Sequence, residues 1–371
     1  MESVPRFELV EWLHSVKGPA KYPLGFSNVF WDESSWKLID WKAIGDEVSR
    51  HEGYASESGA ELARRLPKAF GVKEGEILNV MGTSEANSLV VQALAGHGRE
   101  FVVDLPNYQT LFDLPPLFGA RTVPVRRKMA DGWRLPVERV KELVTRKTAA
   151  IYTCNLHNPT GAALMREELR ALADIAADAR ATLVVDEIFR QFVEDDNLVP
   201  PVRQVAPEAV STGSLSKVQG WGVTRLGWVC AQPEMIERVR RLKTLVAPTR
   251  DLPNDAIALQ VLDKLPMLRD RARKVAKRGN EAMRAWVESR KDIKWAPPYG
   301  GVVSFPKIDG VKDTASLAKR ALAEKGVLVS PGEYFGMPGH LRIGVGHPDA
   351  HVTEEGLRLL GVAIDEGHRA K

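Results

Sequence analysis

The chain has 371 residues, 52 basic and 48 acidic, with a formal charge of +4: room for two domains, but no basic stripe of the kind that binds nucleic acid. Apolar residues make up 44% and charged ones 27%, as in ordinary globular proteins, and no run reaches the ~18 apolar residues of a membrane span. Residues 1–10 lack the basic-then-apolar order of a secretory leader. The two cysteines, Cys154 and Cys230, sit in apolar runs without metal-ligand spacing, so structural thiols in a reducing, cytoplasmic compartment are expected, and no metal site.

In chain order, the first ~45 residues carry Trp12, Trp31, Trp36 and Trp41, expected to pack across both domains. Short apolar runs then predict strands over 77–81, 101–103, 122–125, 149–153, 182–185, 210–212 and 226–230. Between them lie helical windows such as 85–95, 137–145 and 166–179. This alternation predicts an α/β fold with a mostly parallel sheet, whose ligands sit beyond the carboxyl ends of the strands. From about Pro233 long charged helices follow, with the basic runs 240–243 and 274–278 on solvated faces. After Trp295 the order is strand (302–305), helix (314–324), strand (327–330), strand (341–345) and a helix from Thr353, a smaller α+β part. The division expected is a large domain over 46–250 and a small one made of 1–45 and 251–371.

The chemistry concentrates in Ser-Thr-Gly-Ser-Leu-Ser-Lys (211–217) and in Arg225, eight positions after the lysine. A partly desolvated Lys217 can form a Schiff base with an aldehyde, while Ser214, Ser216 and Arg225 supply donors for a phosphate. An aldehyde and a phosphate on one small molecule point to pyridoxal phosphate. The bland alternative is a Ser/Gly turn before a surface lysine. Gly82-Thr83-Ser84-Glu85 opens a helix and reads either as an anion site or as a cap. Asp186 ends an apolar strand, where a carboxylate needs a positive partner such as a protonated pyridine nitrogen, or else caps a helix. Asn158 opens Asn-Pro-Thr-Gly, a turn whose amide can donate to a ring oxygen. Tyr108 can stack on a pyridine ring or fill a core. Arg342, within Leu-Arg-Ile-Gly-Val-Gly, needs a substrate carboxylate or an internal salt bridge.

Together these residues resemble the class I/II aminotransferases, the aspartate aminotransferase superfamily of fold type I, from about Leu24 to the last helix. Asn158, Asp186 and Lys217 fall in the family's order and spacing, together with Arg225 and Leu-Arg-Ile at 341–343. Pro-Arg-Phe-Glu-Leu-Val-Glu-Trp at 5–12 and Tyr-Ala-Ser-Glu-Ser-Gly at 54–59 are similar to a branch that includes capreomycidine-synthase-like proteins. The resemblance implies a seven-stranded, mostly parallel sheet and pyridoxal 5'-phosphate as cofactor. Lys217 would carry the Schiff base and shuttle the proton, Asp186 pair with the pyridine nitrogen, and Asn158 donate to the ring oxygen. It implies Tyr108 stacked on the ring, and Thr83, Ser84, Ser214 and Arg225 on the phosphate with Ser216 assisting. Arg342 would bind the substrate carboxylate, with Asn158 and Gly25 nearby. Tyr54 would reach the phosphate of a neighbouring subunit, which implies a homodimer with shared active sites.

The reaction expected is transfer of an amino group from an L-amino acid to a 2-oxo acid by a ping-pong mechanism. The alternative is a lyase or cyclase of the same fold; a regulatory or binding protein is disfavoured, since the lysine is present and no DNA-binding domain is appended. Two positions depart from the family pattern. Phe189 stands where a tyrosine is usual, and losing that charge-assisted bond would cost ~1.5–3 kcal/mol and raise the pKa of the Schiff base. Tyr152 and His157 are candidate replacements. Leu156-His157 stands where Pro-Asn is commoner. For an acidic substrate, Lys17, Lys21 and Arg250 are candidate second cations, and a bulky or aromatic side chain would suit the Trp-rich N-terminus equally.

Overall fold

The computed structural model describes residues 4–16, 18, 20–50, 57–194, 197–248 and 251–369. At its centre is a seven-stranded sheet: β1 (Ile77–Met81), β2 (Glu100–Leu105), β3 (Arg121–Arg126), β4 (Thr148–Cys154), β5 (Thr182–Asp186), β6 (Val210–Ser214) and β7 (Leu226–Cys230). Their order is β1-β7-β6-β5-β4-β2-β3. All seven expected strands are present. Six run parallel, and β7 is antiparallel to both its neighbours, β1 and β6. The reason is the connection: β6 reaches β7 through a loop holding only the short turn Gly222–Thr224, without the crossover helix that a parallel return requires.

β4, β6 and β7 are buried at every residue, as expected of strands covered on both faces. Alternate residues feed opposite layers. Val102, Ile151, Leu183 and Val185 pack with Leu169, Leu172 and Ala176 of the helix Arg166–Ala179. Phe101, Val103, Tyr152 and Val184 face Leu89 and Val90 of the helix Gly82–Leu94. β3 is the exposed edge, which is why Pro124 is tolerated there without a ladder donor.

The rest holds a three-stranded antiparallel sheet in the order β11 (Ser330–Pro331), β12 (Leu341–Gly344), β9 (Val303–Ser304), and a pair of β8 (Ile293–Lys294) with β10 (Lys307–Ile308). The helices Leu265–Glu288, Thr314–Lys325 and Ala350–Arg369 accompany them. Arg240, Arg241, Lys274, Lys277 and Arg278 are exposed, as the solvated reading expects. The strand expected over 327–330 shrinks to Ser330–Pro331, because the preceding residues bond to the N-terminal segment. Leu328 N donates to Tyr22 O (3.0 Å), and the Trp12 indole Nε1 donates to Val329 O (2.8 Å). Trp31 packs on Trp221, ring centroids 5.0 Å apart, and Trp36 stacks on Trp41 at 3.9 Å. No helix among the described residues is long and apolar enough to cross a membrane.

The N-terminal segment crosses β12 in close contact. Gly344 N donates to Leu24 O (2.7 Å), and a Cβ on Gly344 would overlap the carbonyl oxygen of Phe26. Gly344→Ala should therefore force the two backbones apart and destabilise by ~1–3 kcal/mol, read as a lowered midpoint in thermal unfolding.

Candidate active site

The strand ends converge on one cavity of 720 Å³, lined among others by Thr83, Ser84, Asn87, Tyr108, Cys154, Asn158, Asp186, Phe189, Ser216, Lys217, Arg225 and Arg342. Asp186 ends β5, Cys154 ends β4, and Lys217 follows β6, so the parallel stacking of the strands sets their spacing.

Asp186 forms the floor. Its Oδ2 accepts from Asn87 Nδ2 (2.9 Å) and its Oδ1 from Ile188 N (3.0 Å). Asn87 is oriented in turn by Thr212, whose hydroxyl donates to Asn87 Oδ1 (2.7 Å). Burial raises the Asp186 carboxyl to about 6, against the lowering by these donors and by Lys217. Burial, then Arg342 and Arg225, lowers the Lys217 amine to about 8, partly offset by Asp186. The loop carrying Lys217 is held by its own backbone, since Val29 N donates to Lys217 O (3.0 Å).

On one wall, Gly82 has φ +78, and a Cβ there would meet Arg225 Nη2 at 2.5 Å, so glycine lets the guanidinium lie across the start of the helix Gly82–Leu94. The Thr83 hydroxyl is buried there without a protein partner, and the first-turn N–H groups of this long helix are anion donors. Ser216 lines the cavity with Ser214 behind it, hydroxyls 2.7 Å apart. Tyr108 immediately precedes the helix Gln109–Leu117, and burial pushes its phenol up to about 12.

On the opposite wall Arg342 is almost wholly buried in β12. It donates to Gly25 O (2.7 Å), Asn158 Oδ1 (3.3 Å) and Ser330 Oγ (3.3 Å), and lies 4.9 Å over the Phe335 ring. Among the described residues no carboxylate pairs with it, and its Nε has no partner, so the internal salt bridge open to the sequence is not the one formed. Burial lowers its guanidinium to about 10.

The structure thus gathers Thr83, Ser84, Tyr108, Asn158, Asp186, Ser216, Lys217, Arg225 and Arg342 around one space. Ser214 and Gly25 stand one layer back, Gly25 contributing a carbonyl to Arg342. Tyr54, Lys17 and Arg250 lie outside the described residues. Lys21 is away from the cavity, its ammonium 5.3 Å from the Tyr22 ring centroid. Neither expected replacement for the tyrosine missing at Phe189 reaches the cavity wall. The Tyr152 hydroxyl is buried without a partner, and His157 places Nδ1 2.7 Å from Thr160 Oγ1 and Nε2 3.2 Å from Asp104 Oδ2.

That histidine belongs to a buried cluster the sequence reading missed. Arg127 Nε donates to Asp104 Oδ2 (2.5 Å), and Asn107 Nδ2 donates to Asp104 Oδ1 (2.9 Å). Asn107 Oδ1 accepts from Tyr108 N (2.8 Å), so Asp104 stands behind both Tyr108 and the Asn158 turn. Asn87 was missed as well: it is buried on the helix Gly82–Leu94, whose other polar residues, Thr83, Ser84, Glu85, Ser88 and Gln92, gave it no contrast in the sequence.

The model of the aminotransferase class I and II family matches residues 34–355. The chain belongs to that family. It is similar to capreomycidine synthase of Streptomyces vinaceus, 26% identical over 100% of this chain and 96% of that protein. It is also similar to arginine–pyruvate transaminase of Pseudomonas aeruginosa, 28% identical over 82% and 80% respectively. A crystal structure of a PLP-dependent aminotransferase from Streptococcus suis superposes with a TM-score of 0.89 at 26% identity, covering 99% of each chain. The fold is that of the type I PLP-dependent aminotransferases, and the cofactor is pyridoxal 5'-phosphate. The orphaned Thr83 hydroxyl, the helix start, Arg225 and the buried Asp186 carboxylate suit a phosphate at one end and a cation at the other.

Burial, and then Arg127, lower His157 to about 4, against the raising effect of Asp104. Its ordinary value is ~6.5, so the unfolded chain binds the extra proton between these values and stability falls as pH drops from 6.5 toward 4. Acid denaturation should steepen over that window and flatten in His157→Gln. Asp104→Asn, which leaves Arg127 buried without its counter-charge, should cost ~3–5 kcal/mol in denaturant unfolding at neutral pH.

Proposed function

We propose that this protein is a PLP-dependent aminotransferase that moves an amino group from an L-amino acid to a 2-oxo acid by a ping-pong mechanism. The observation that carries the reading is Arg342, a buried guanidinium with only neutral partners, lining the same cavity as Lys217. When bound, pyridoxal phosphate supplies an aldehyde for the amino group and a pyridine ring that takes up the electron pair of the substrate Cα–H bond.

The residues divide the work. Lys217 Nζ would hold the aldehyde carbon and, once displaced by the substrate amine, act as the base that takes and returns the Cα proton. Its lowered pKa of about 8 brings the neutral amine within reach near neutral pH. Asp186, braced by Asn87, would face the ring nitrogen and hold positive charge there. Thr83, Ser84, Ser216 and Arg225, with Ser214 behind, would hold the phosphate; Tyr108 would lie against the ring and Asn158 donate to its oxygen. Arg342, with Asn158 beside it and the Gly25 carbonyl fixing one arm, would grip the α-carboxylate and so orient the Cα proton toward Lys217.

The same reading includes a homodimer in which Tyr54 reaches the partner's phosphate site. It also includes a division into 46–250 and 1–45 with 251–371. The seven-stranded sheet lies within the former and β8 to β12 within the latter, which supports the division. Similarity to capreomycidine synthase along the whole chain supports a second reading, a cyclase or lyase acting on an amino acid.

Incubating the holoenzyme with an amino acid and an isotopically distinct 2-oxo acid decides between them. Transfer gives two exchanged products by mass spectrometry; release of ammonia or a cyclised product favours the second reading. Borohydride reduction should fix the cofactor covalently to a peptide containing Lys217, and Lys217→Ala should abolish that mass shift. Arg342→Gln should lower kcat/KM about 10–100-fold, equivalent to ~1.5–3 kcal/mol of lost charge-assisted bonding.

A further inference from the structure

His157 immediately precedes Asn158 and is wholly buried, yet it does not line the cavity. Both ring nitrogens have neighbours: Nδ1 lies 2.7 Å from Thr160 Oγ1, and Nε2 lies 3.2 Å from Asp104 Oδ2. Burial, and then Arg127, keep the ring neutral at pH 7. An ionised carboxylate can only accept, so the single proton of the neutral ring belongs on Nε2, and Nδ1 accepts from the Thr160 hydroxyl. The Thr160 oxygen accepts in turn from Ala162 N (3.3 Å). The backbone closes the same loop, His157 N donating to Ala162 O (2.8 Å) and Gly161 N to His157 O (2.7 Å). The imidazole thus links the Asn-Pro-Thr-Gly turn to Asp104 on β2.

Asp104 is a firm anchor for that link. Arg127 holds it through Nε, and the other two guanidinium nitrogens donate to Trp133 O (2.8 Å) and Thr153 Oγ1 (3.3 Å) on separate stretches of chain. Two arms run from the anchor to the cavity. Through Asn107 it reaches the backbone of Tyr108, and through His157 it reaches the turn that presents Asn158. Asn158 Oδ1 accepts from Arg342 Nη1 (3.3 Å), which leaves Nδ2 as the end that can donate to a ring oxygen. Phe189, lining the same cavity, offers no hydroxyl for that oxygen, so the aim of the Asn158 amide matters more. A hydrogen bond weakens steeply as its angle falls toward ~120°, and a donor on a turn keeps its angle only if the turn is held.

We propose that His157 is a positioning residue: by tying the Asn158 turn to Asp104 through its Nε2–H, it aims the Asn158 amide at the ring oxygen of the cofactor. The proposal rests on the assignment of Asn158 to that oxygen and deepens it. A donor to an anionic oxygen favours its charged form. When the donor loses its aim, the oxygen holds a proton more tightly, and the Lys217 Schiff base beside it gives up its own at a higher pH.

The test is a pH titration of the visible absorption of the bound cofactor in the holoenzyme, without substrate. Asn158→Ala should raise the midpoint by about one unit, a tenfold change in proton affinity. His157→Phe, which keeps a ring but loses both polar contacts, should raise it by at least about half as much. His157→Gln, whose amide can still reach Asp104, should return most of that shift. Adding His157→Phe to Asn158→Ala should move the midpoint no further, because the histidine acts through the asparagine. Should His157→Phe not fold, His157→Asn, too short to reach Asp104, carries the same comparison. An unaltered midpoint in His157→Phe, a shift that His157→Gln does not recover, or full additivity in the double variant would overturn the proposal and leave the Asn158 assignment standing. An unaltered midpoint in Asn158→Ala would overturn that assignment, and the role of His157 with it.

Discussion

A guanidinium held out of water by neutral partners is the constraint on which this architecture turns. Arg342 sits on a four-residue strand, β12, and its position is fixed by Gly25 O, Ser330 Oγ and Asn158 Oδ1, each from a different stretch of chain. A carboxylate among them would be cheaper for the fold, because it would cancel the charge. The absence of one among the described residues leaves the positive potential aimed at the cavity. The same choice is made at the floor in the opposite sign. Asp186 is satisfied by an amide and a backbone N–H, and its charge is left for something else to balance. Lys217 lies between these two poles, and its lowered pKa follows from burial and from the arginines on either side.

Contrast the cluster behind Tyr108. There Asp104 and Arg127 neutralise each other, and both are buried. The strand ends Val-Val-Asp at 102–104 and 184–186 are identical in sequence, yet one carboxylate is paired within the fold and the other faces the cavity. The difference lies in the pleat. Asp104 shares its face with Val102, toward the helix Arg166–Ala179, while Asp186 shares its face with Val184, toward the helix Gly82–Leu94.

That parity explains much of what was legible in the sequence. The strands announce themselves as short runs rich in apolar and β-branched residues, so all seven could be placed, the exposed edge β3 included, and the motif residues at their ends followed. Strand direction is not written in such a run, which is why β7 emerged antiparallel only from the structure. Val327–Val329 read as a strand because its residues are apolar, but its partners are the N-terminal chain and it forms only an isolated bridge at Tyr22. Asn87 and the Asp104 cluster escaped notice for a different reason: they act on other side chains, and their meaning depends on pairings more than twenty residues away in sequence. Phe189 was legible as a departure; that neither Tyr152 nor His157 lines the cavity in its place needed the structure.

The strap of residues that passes between β12 and the Lys217 loop has a consequence for how the molecule is made. Gly25 is joined to Arg342 and Trp12 to Val329, contacts spanning 317 positions, while Val29 is joined to the Lys217 backbone. A ribosome delivers the strap 317 residues before its docking partners Arg342 and Val329. The central sheet can assemble meanwhile, its neighbours being closer in sequence, but the cavity closes only when the strap meets β12 and the residues before it. Completion of the binding site thus waits for β12, and a nascent product cut short before it carries Lys217 in a cavity that lacks the Arg342 wall.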